Sequence, residues 1–195
     1  MSKSTAEQRV IAELLEGSNV LRQTAESLSS DIVNVAEHII TALRAGGKIM
    51  ICGNGGSAAD SQHFAAELVG RYRRERQSWP AIALTVDSSV LTSLSNDYGF
   101  EQVFARQVQG FGQPQDILIA ISTSGRSANV LAAVKVASTL GIKTIGLTGA
   151  DGGKLAALVD HPLLIPSTNT AFIQQGHMAV IHLLCELVEE RLAGP

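Results

Sequence analysis

Apolar positions change their period along the chain. Through residues 5–45 they recur at helical spacing, with Val10, Ile11, Leu14 and Leu15 on one face and Ile32, Val35, Ile39, Ile40 and Leu43 on another. This predicts two helices, the second ended by Gly46 and Gly47. From Lys48 onward, short apolar runs alternate with longer helical stretches. Lys48–Cys52, Ala81–Val86, Asp116–Ile121, Lys143–Leu147 and Leu163–Ile165 read as strands. Helical spacing returns near 58–70, 101–110, 127–139, 153–159 and 171–192. Such alternation predicts an α/β fold: a three-layer αβα sandwich on a mainly five-stranded parallel sheet, preceded by N-terminal helices. Ligands in sheets of this kind sit beyond the carboxyl ends of the strands. The apolar faces of the N-terminal helices either cover the sheet or pack against another copy of the chain.

Composition narrows the class. The 195 residues suffice for a single domain, 1–195, with a helical segment at about 5–45. Aromatics are only 4% of the chain against 45% hydrophobic residues, which favours helices packed tightly on a sheet over a wide aromatic groove. A net charge of −3 leaves a weak electrostatic footprint for nucleic acid. The one basic cluster, Arg71, Arg73, Arg74 and Arg76, reads as a solvated or subunit-contacting face. Cys52 and Cys185 lie far apart without metal or redox spacing, so they read as buried thiols of a reducing compartment. The N-terminal stretch carries three acids and lacks the apolar core of a signal peptide. No run reaches about 18 apolar residues, so the expectation is a cytoplasmic protein with no membrane span and no membrane partner.

The chemistry concentrates where strands end. After the run Asp116–Ile121 come the hydroxyls of Ser122, Thr123, Ser124 and Ser127, at the start of the next predicted helix. Unpaired N–H groups and partial positive charge gather there, which suits an anionic group such as a phosphate. The plainer reading is a serine-rich turn with an N-cap, for which one hydroxyl is enough. The first strand leads into Gly53-Asn54-Gly55-Gly56-Ser57-Ala58, which fits a dinucleotide glycine pattern. The acid that such a fold wants about 20 positions on is missing, since Asp87 lies well past it. What survives is a loop whose backbone can approach a ligand closely, with Asn54 offering a donor and an acceptor.

His63 and Glu67 follow on the next helix, four positions apart and on one face. They can form a metal-ligand pair, an acid/base pair or an ordinary surface interaction. Asn96 and Asp97 could reach substrate hydroxyls or make a turn. The last helix carries Gln174, Gln175, His177 and His182. At about 100° per residue the two histidines are about 140° apart, so both cannot easily face one centre. Gln174 and His182 are about 12 Å apart along the axis; one atom touches both only if both side chains stretch inward, or if they come from different subunits. His177 alone reads as a core or surface histidine.

Taken together, the runs AGGKIMICGNGGSAADSQHFAAELVGRY, SNDYGF, LIAISTSGRSANV, LTGADGGKLA and IQQGHMAVIH resemble the sugar isomerase (SIS) domain family. Within it, they are similar to the bacterial isomerases of heptose phosphates. The resemblance spans nearly the whole chain. It implies a phosphate cradle at Ser122, Thr123, Ser124 and Ser127, and substrate contacts from Asn54, Gly55, Gly56, Glu67, Asn96, Asp97 and Gln174. It implies one zinc per site on His63, Glu67, Gln174 and His182, with Glu67 and His182 as the acid/base pair. It also implies a homotetramer with sites shared between subunits. The reaction implied is the aldose–ketose isomerisation of sedoheptulose 7-phosphate to D-glycero-D-manno-heptose 7-phosphate, a precursor of lipopolysaccharide heptose. One family position departs: an acid a few places before the glutamine in some members is absent from Ser167-Thr168-Asn169-Thr170-Ala171-Phe172.

The resemblance also reaches a non-catalytic SIS-fold protein that associates with the replication initiator, keeps the glycine loop and histidine, and lacks the glutamate of the H-x-x-x-E pair. Glu67 is present here, which favours the enzyme.

Overall fold

A computed structural model describes residues 4–149 and 151–193. Residues 1–3, which open the N-terminal stretch, and Ala150, inside the run LTGADGGKLA, lie outside the described residues.

One helix, α1 (Thr5–Arg44), replaces the two expected at the N-terminus. Ser4 and Glu7 close its first turn as a capping box. No proline interrupts it, and its one internal glycine costs only about 1 kcal/mol. Gly17 is where α6 (Thr170–Leu192) comes closest: a Cβ there would meet Gln175 Oε1 at 2.7 Å. The glycine therefore marks a helix contact inside one continuous helix.

Five strands follow: β1 (Ile49–Cys52), β2 (Ala81–Ala83), β3 (Ile117–Ile121), β4 (Lys143–Gly149) and β5 (His161–Ile165). All pair in parallel in the order β2-β1-β3-β4-β5. Alternate side chains feed two cores. Ile49, Ile51, Ile117, Ile119 and Ile121 pack with α1, α6 and α2 (Gly56–Val69). Met50, Cys52, Leu118 and Ala120 pack with α4 (Val103–Phe111) and α5 (Ala128–Thr139). Both cysteines are buried free thiols, and burial pushes Cys52 up to about 12.

Two further expectations change. The segment 84–98 ends β2 early and forms α3 (Ser88–Tyr98), where Asp87 caps the helix by accepting from the Val90 N–H. Residues 153–159 form turns in place of a helix, because Gly152 and Gly153 adopt positive φ and the Lys154 and Leu155 N–H groups bond Gly125 O. One helix among the described residues, α6, is long and apolar enough to cross a membrane. Half of its apolar stretch is buried, with Ile173, Val180, Ile181 and Leu184 in the core against the sheet.

Candidate active site

The strand order changes direction between β1 and β3, and loops leaving the carboxyl ends on either side of such a point form a crevice. Here they are the glycine loop after β1 and the serine loop after β3. Asn54 and Asn129 tie them together through reciprocal amide bonds of 2.8 and 2.9 Å. Gly56 begins α2 against Gln174 of α6, where a Cβ would overlap the glutamine amide.

In the serine loop, Ser127 occupies the N-cap position of α5 but makes no capping bond. Its hydroxyl faces Ser122 Oγ at 3.0 Å, and Asn129 Oδ1 accepts from the Val130 N–H of the first turn. The capping explanation for this hydroxyl therefore fails in the structure. Gly125 adopts φ +61°, and a Cβ there would overlap the Gly152 carbonyl. Close contact between these glycines locks the loops after β3 and β4 together, helped by the Gly149 N–H on Thr123 O at 3.0 Å. A pocket of about 380 Å³ opens beside them, lined by Thr123, Ser124, Arg126, Asp151, Ser167 and Thr168. Arg126 pairs with Asp151 at 2.5 Å, and its hydrogen bond, with that of the Gly153 N–H, holds the Asp151 carboxyl below the usual range.

Along α2 and α6 lies a second cluster. His63 Nε2 is 3.0 Å from His182 Nε2 and 3.4 Å from Glu67 Oε1. Gln174, two turns before His182, reaches α2 nearer its start and donates to Asp60, its amide being the only donor it has. Asp60 is buried, and its Oδ2 lacks a hydrogen-bond partner. Burial raises its pKa, against the opposing effects of the Gln174 bond and of His63. His63, Glu67 and His182 thus gather within one chain. Among the described residues, no three His, Cys, Asp or Glu side chains stand ready as a metal cage. The chemistry of the donors nevertheless fits zinc, with imidazole nitrogens, a carboxylate and an amide oxygen. The 3.0 Å between the histidine nitrogens is near the edge of about 3.4 Å for a tetrahedron with bonds of about 2.1 Å.

The other expected residues fall elsewhere. Asn96 and Asp97 sit on the exposed last turn of α3, where the Asn96 amide donates to Asp97 Oδ1 at 2.8 Å. His177 is fully buried and donates from Nε2 to Thr148 O at 3.2 Å, and burial lowers it to about 4. Arg76 departs from its basic neighbours: its side chain is 3% exposed and pairs with a 2% exposed Glu189 at 3.2 Å. The solvated or subunit-facing role expected of this cluster fails at Arg76. Asp60, Asn129, Arg126, Tyr72 and the Arg76–Glu189 pair were not evident as site residues in the chain. The signal available was only their nearness in sequence to the motifs.

A model of the SIS domain matches residues 15–149. The chain belongs to the SIS domain family. Relatives at 50% identity or more over most of the chain include several phosphoheptose isomerases. The phosphoheptose isomerase of Roseiflexus sp. (strain RS-1) is 54% identical over 94% of this chain and 93% of its own length. That of Rhodospirillum rubrum is 56% identical over 84% of this chain and 87% of its own. The structure of phosphoheptose isomerase from Neisseria gonorrhoeae superposes with a TM-score of 0.91 at 44% identity, covering 95% of this SIS-domain chain and 100% of that one.

Proposed function

We infer that this SIS-domain protein is a sedoheptulose 7-phosphate isomerase that interconverts the ketose with D-glycero-D-manno-heptose 7-phosphate. The observation that carries the reading is the placement of a carboxylate and two imidazoles, Glu67, His63 and His182, on helices bordering a crevice with a hydroxyl-rich loop. The 54% identity to a phosphoheptose isomerase supplies the sugar class.

The serine loop holds the phosphate through Ser122, Thr123, Ser124 and Ser127, fixing the far end of the sugar. Asn54, Gly55, Gly56, Asn96, Asp97 and Gln174 contact its hydroxyls. Isomerisation moves a proton between adjacent carbons and a second between their oxygens, by way of an enediol. Glu67 takes the proton from one carbon and returns it to the next, while His182 passes the proton between the oxygens. His63, Glu67, Gln174 and His182 would hold zinc, which supplies a Lewis acid for the developing oxyanion.

The molecule acts as a cytoplasmic homotetramer in the supply of heptose for lipopolysaccharide. Support for assembly comes from α1: Val10, Leu14 and Leu15 are exposed, and a groove of about 450 Å³ between α1 and α6 is lined by Leu21, Ile32, Val33 and Leu183. Apolar surface of this extent suits burial against a second copy.

The deciding experiment is incubation of the purified protein with sedoheptulose 7-phosphate and detection of the aldose by NMR. Turnover is expected, with Glu67→Gln slower by about 10²-fold or more. Full turnover in that variant would overturn the assignment of the base. Absence of turnover in the wild type, with co-purification of a replication initiator, would overturn the reaction.

A further inference from the structure

The segment between α2 and β2 is gripped by three successive turns of α6. His182, Glu186 and Glu189 lie on one stripe of that helix, since four residues advance about 40° and seven about −20° beyond whole turns. Glu189 is the anchor. One carboxylate oxygen accepts the Tyr72 N–H at 2.7 Å, and the other accepts the Arg73 and Arg74 N–H groups at 2.9 and 3.0 Å. Arg76 closes the clamp from the opposite side. Its Nε donates to Glu189 at 3.2 Å, and its terminal nitrogens donate to the carbonyls of Glu67, Leu68, Gly70 and Gln77 at 2.7 to 3.0 Å. The Arg76 guanidinium also lies 3.6 Å above the centre of the buried Trp79 ring. Arg73 adds a bond to Glu186.

What this clamp presents to the site is one ring. Tyr72 stacks on the His182 imidazole, with centroids 5.4 Å apart and planes 21° from parallel. On another side of that imidazole, His63 meets it at an interplanar angle of 67°. Two aromatic contacts at different angles restrict rotation of the imidazole, so that Nε2 is directed toward His63 Nε2. The same guanidinium that clamps the loop bonds the backbone of Glu67 itself.

We propose that Tyr72 is a positioning residue for His182, and that the Arg76–Glu189 pair exists to hold it there. The proposal rests on the isomerase reading above for its kinetic consequence, though not for the stack. The aromatic face does the positioning, so the phenol hydroxyl is dispensable and the ring is not. A misdirected imidazole costs rate in the bound complex. Binding of the phosphate end, at the serine loop, is left as it was.

The test compares Tyr72→Phe and Tyr72→Ala with the wild type in the full chain, with sedoheptulose 7-phosphate as substrate. Tyr72→Phe is expected to keep kcat and KM within about threefold. Tyr72→Ala is expected to lose kcat by about 10- to 100-fold, the cost of a misplaced group, with KM within about threefold. In parallel, NMR of the His182 ring protons, assigned with His182→Gln, should show a ring-current shift that Tyr72→Phe retains and Tyr72→Ala abolishes. Should Tyr72→Ala fail to fold, Tyr72→Leu, which fills the space without a π-face, takes its place. Unchanged kcat in the ring-less variant, a rise in KM alone, an equal loss in Tyr72→Phe, or an absent ring-current shift would each overturn the proposal. A wild type without turnover but with the ring-current shift would overturn the isomerase reading and leave the stack standing.

Discussion

His63 Nε2 and His182 Nε2 face one another at 3.0 Å, although 119 residues separate them in the chain. Two imidazole nitrogens at this distance either share one proton or ligate one cation. With Glu67 Oε1 3.4 Å from His63, the donors around that point favour zinc over a hard oxygen-seeking ion. We expect purified protein to bind about one zinc per chain. His63→Gln and His182→Gln should each weaken zinc by about 10²-fold or more, taking the upper range for loss of supporting residues as a floor for loss of a ligand. Competition against a chromogenic chelator measures this without substrate. Equal affinity in the wild type and both variants would remove the metal from the site.

The Ser122–Ser127 hydroxyl contact separates two roles that sequence leaves together. A serine that caps a helix contributes about 0.5–2 kcal/mol of stability, lost on replacement by alanine. Ser127 makes no such bond, so Ser127→Ala should leave the melting temperature within about 2 °C, whereas loss of a cap worth about 2 kcal/mol would lower it by about 4–8 °C in a chain of this size. If the hydroxyl instead binds phosphate, the same variant should lose about 10- to 100-fold in kcat/KM, the scale of one hydrogen bond to a charged group. Inhibition by inorganic phosphate should weaken in step. A destabilised variant with normal kinetics would restore the capping role.

Much of the fold was legible because strands buried on both faces, such as Ile117–Ile121, make unbroken apolar runs. Helices with a strong stripe, such as Val103–Phe111, were found from their 3.6-residue spacing. The misses have physical causes. Two apolar faces over residues 5–45 read as two helices, yet α1 is continuous, and its one internal glycine, Gly17, answers to close packing against Gln175, 158 residues away. Residues 153–159 carry helical spacing, but the loop conformation is set by Gly125, which reaches across from the loop after β3. Within the site, His63 and Glu67 could be paired from their spacing, whereas His182 joins them only through the packing of α6 on α2. The Arg76–Glu189 pair is invisible to local pattern, since a buried ion pair reads as two ordinary surface charges until its partner is known.

Gly125 and Gly152 meet where neither has room for a side chain. Gly125→Ala adds a Cβ against the Gly152 carbonyl at a backbone φ of +61°, which itself costs about 1–2 kcal/mol for a side chain. The loop must shift, and the pocket beside it with it. The expected outcome is a loss of at least about 2 kcal/mol in urea unfolding, together with a KM for the sugar phosphate raised about 10-fold or more. Wild-type stability and KM in this variant would mean that the two loops are not locked.

Glu189 links the clamp to acid stability. Burial by itself would raise its pKa, but the N–H groups of Arg73, Tyr72 and Arg74 and the Arg76 charge outweigh burial and hold the carboxyl below its usual range. A depressed carboxyl contributes stability above its unfolded value of 4.5, and that contribution is lost as pH falls through the folded value below it. Glu189→Gln leaves the Arg76 charge buried without its partner and should cost about 3–5 kcal/mol at pH 7. Denaturant titrations at pH 7 and pH 3.5 should show the variant and wild type converging at the lower pH. A constant difference between them would mean that the charge of Glu189 contributes nothing.

His177 gives the opposite titration, that of a base held neutral. Burial lowers its pKa from 6.5 to about 4, against a smaller opposing effect of the Thr148 carbonyl. The unfolded chain therefore binds a proton between those values that the folded chain refuses. Stability from this residue is complete above pH 6.5 and falls as pH drops toward 4, by about 2 kcal/mol at pH 5 and about 3 kcal/mol in all. His177→Gln keeps a donor for Thr148 O but cannot titrate. It should lower stability at pH 7 through imperfect packing, while its unfolding free energy changes less than that of the wild type between pH 7 and pH 5. The difference between the two pH profiles isolates this histidine from the carboxylates, which titrate in both proteins. Parallel profiles would show that His177 accepts its proton within the folded core.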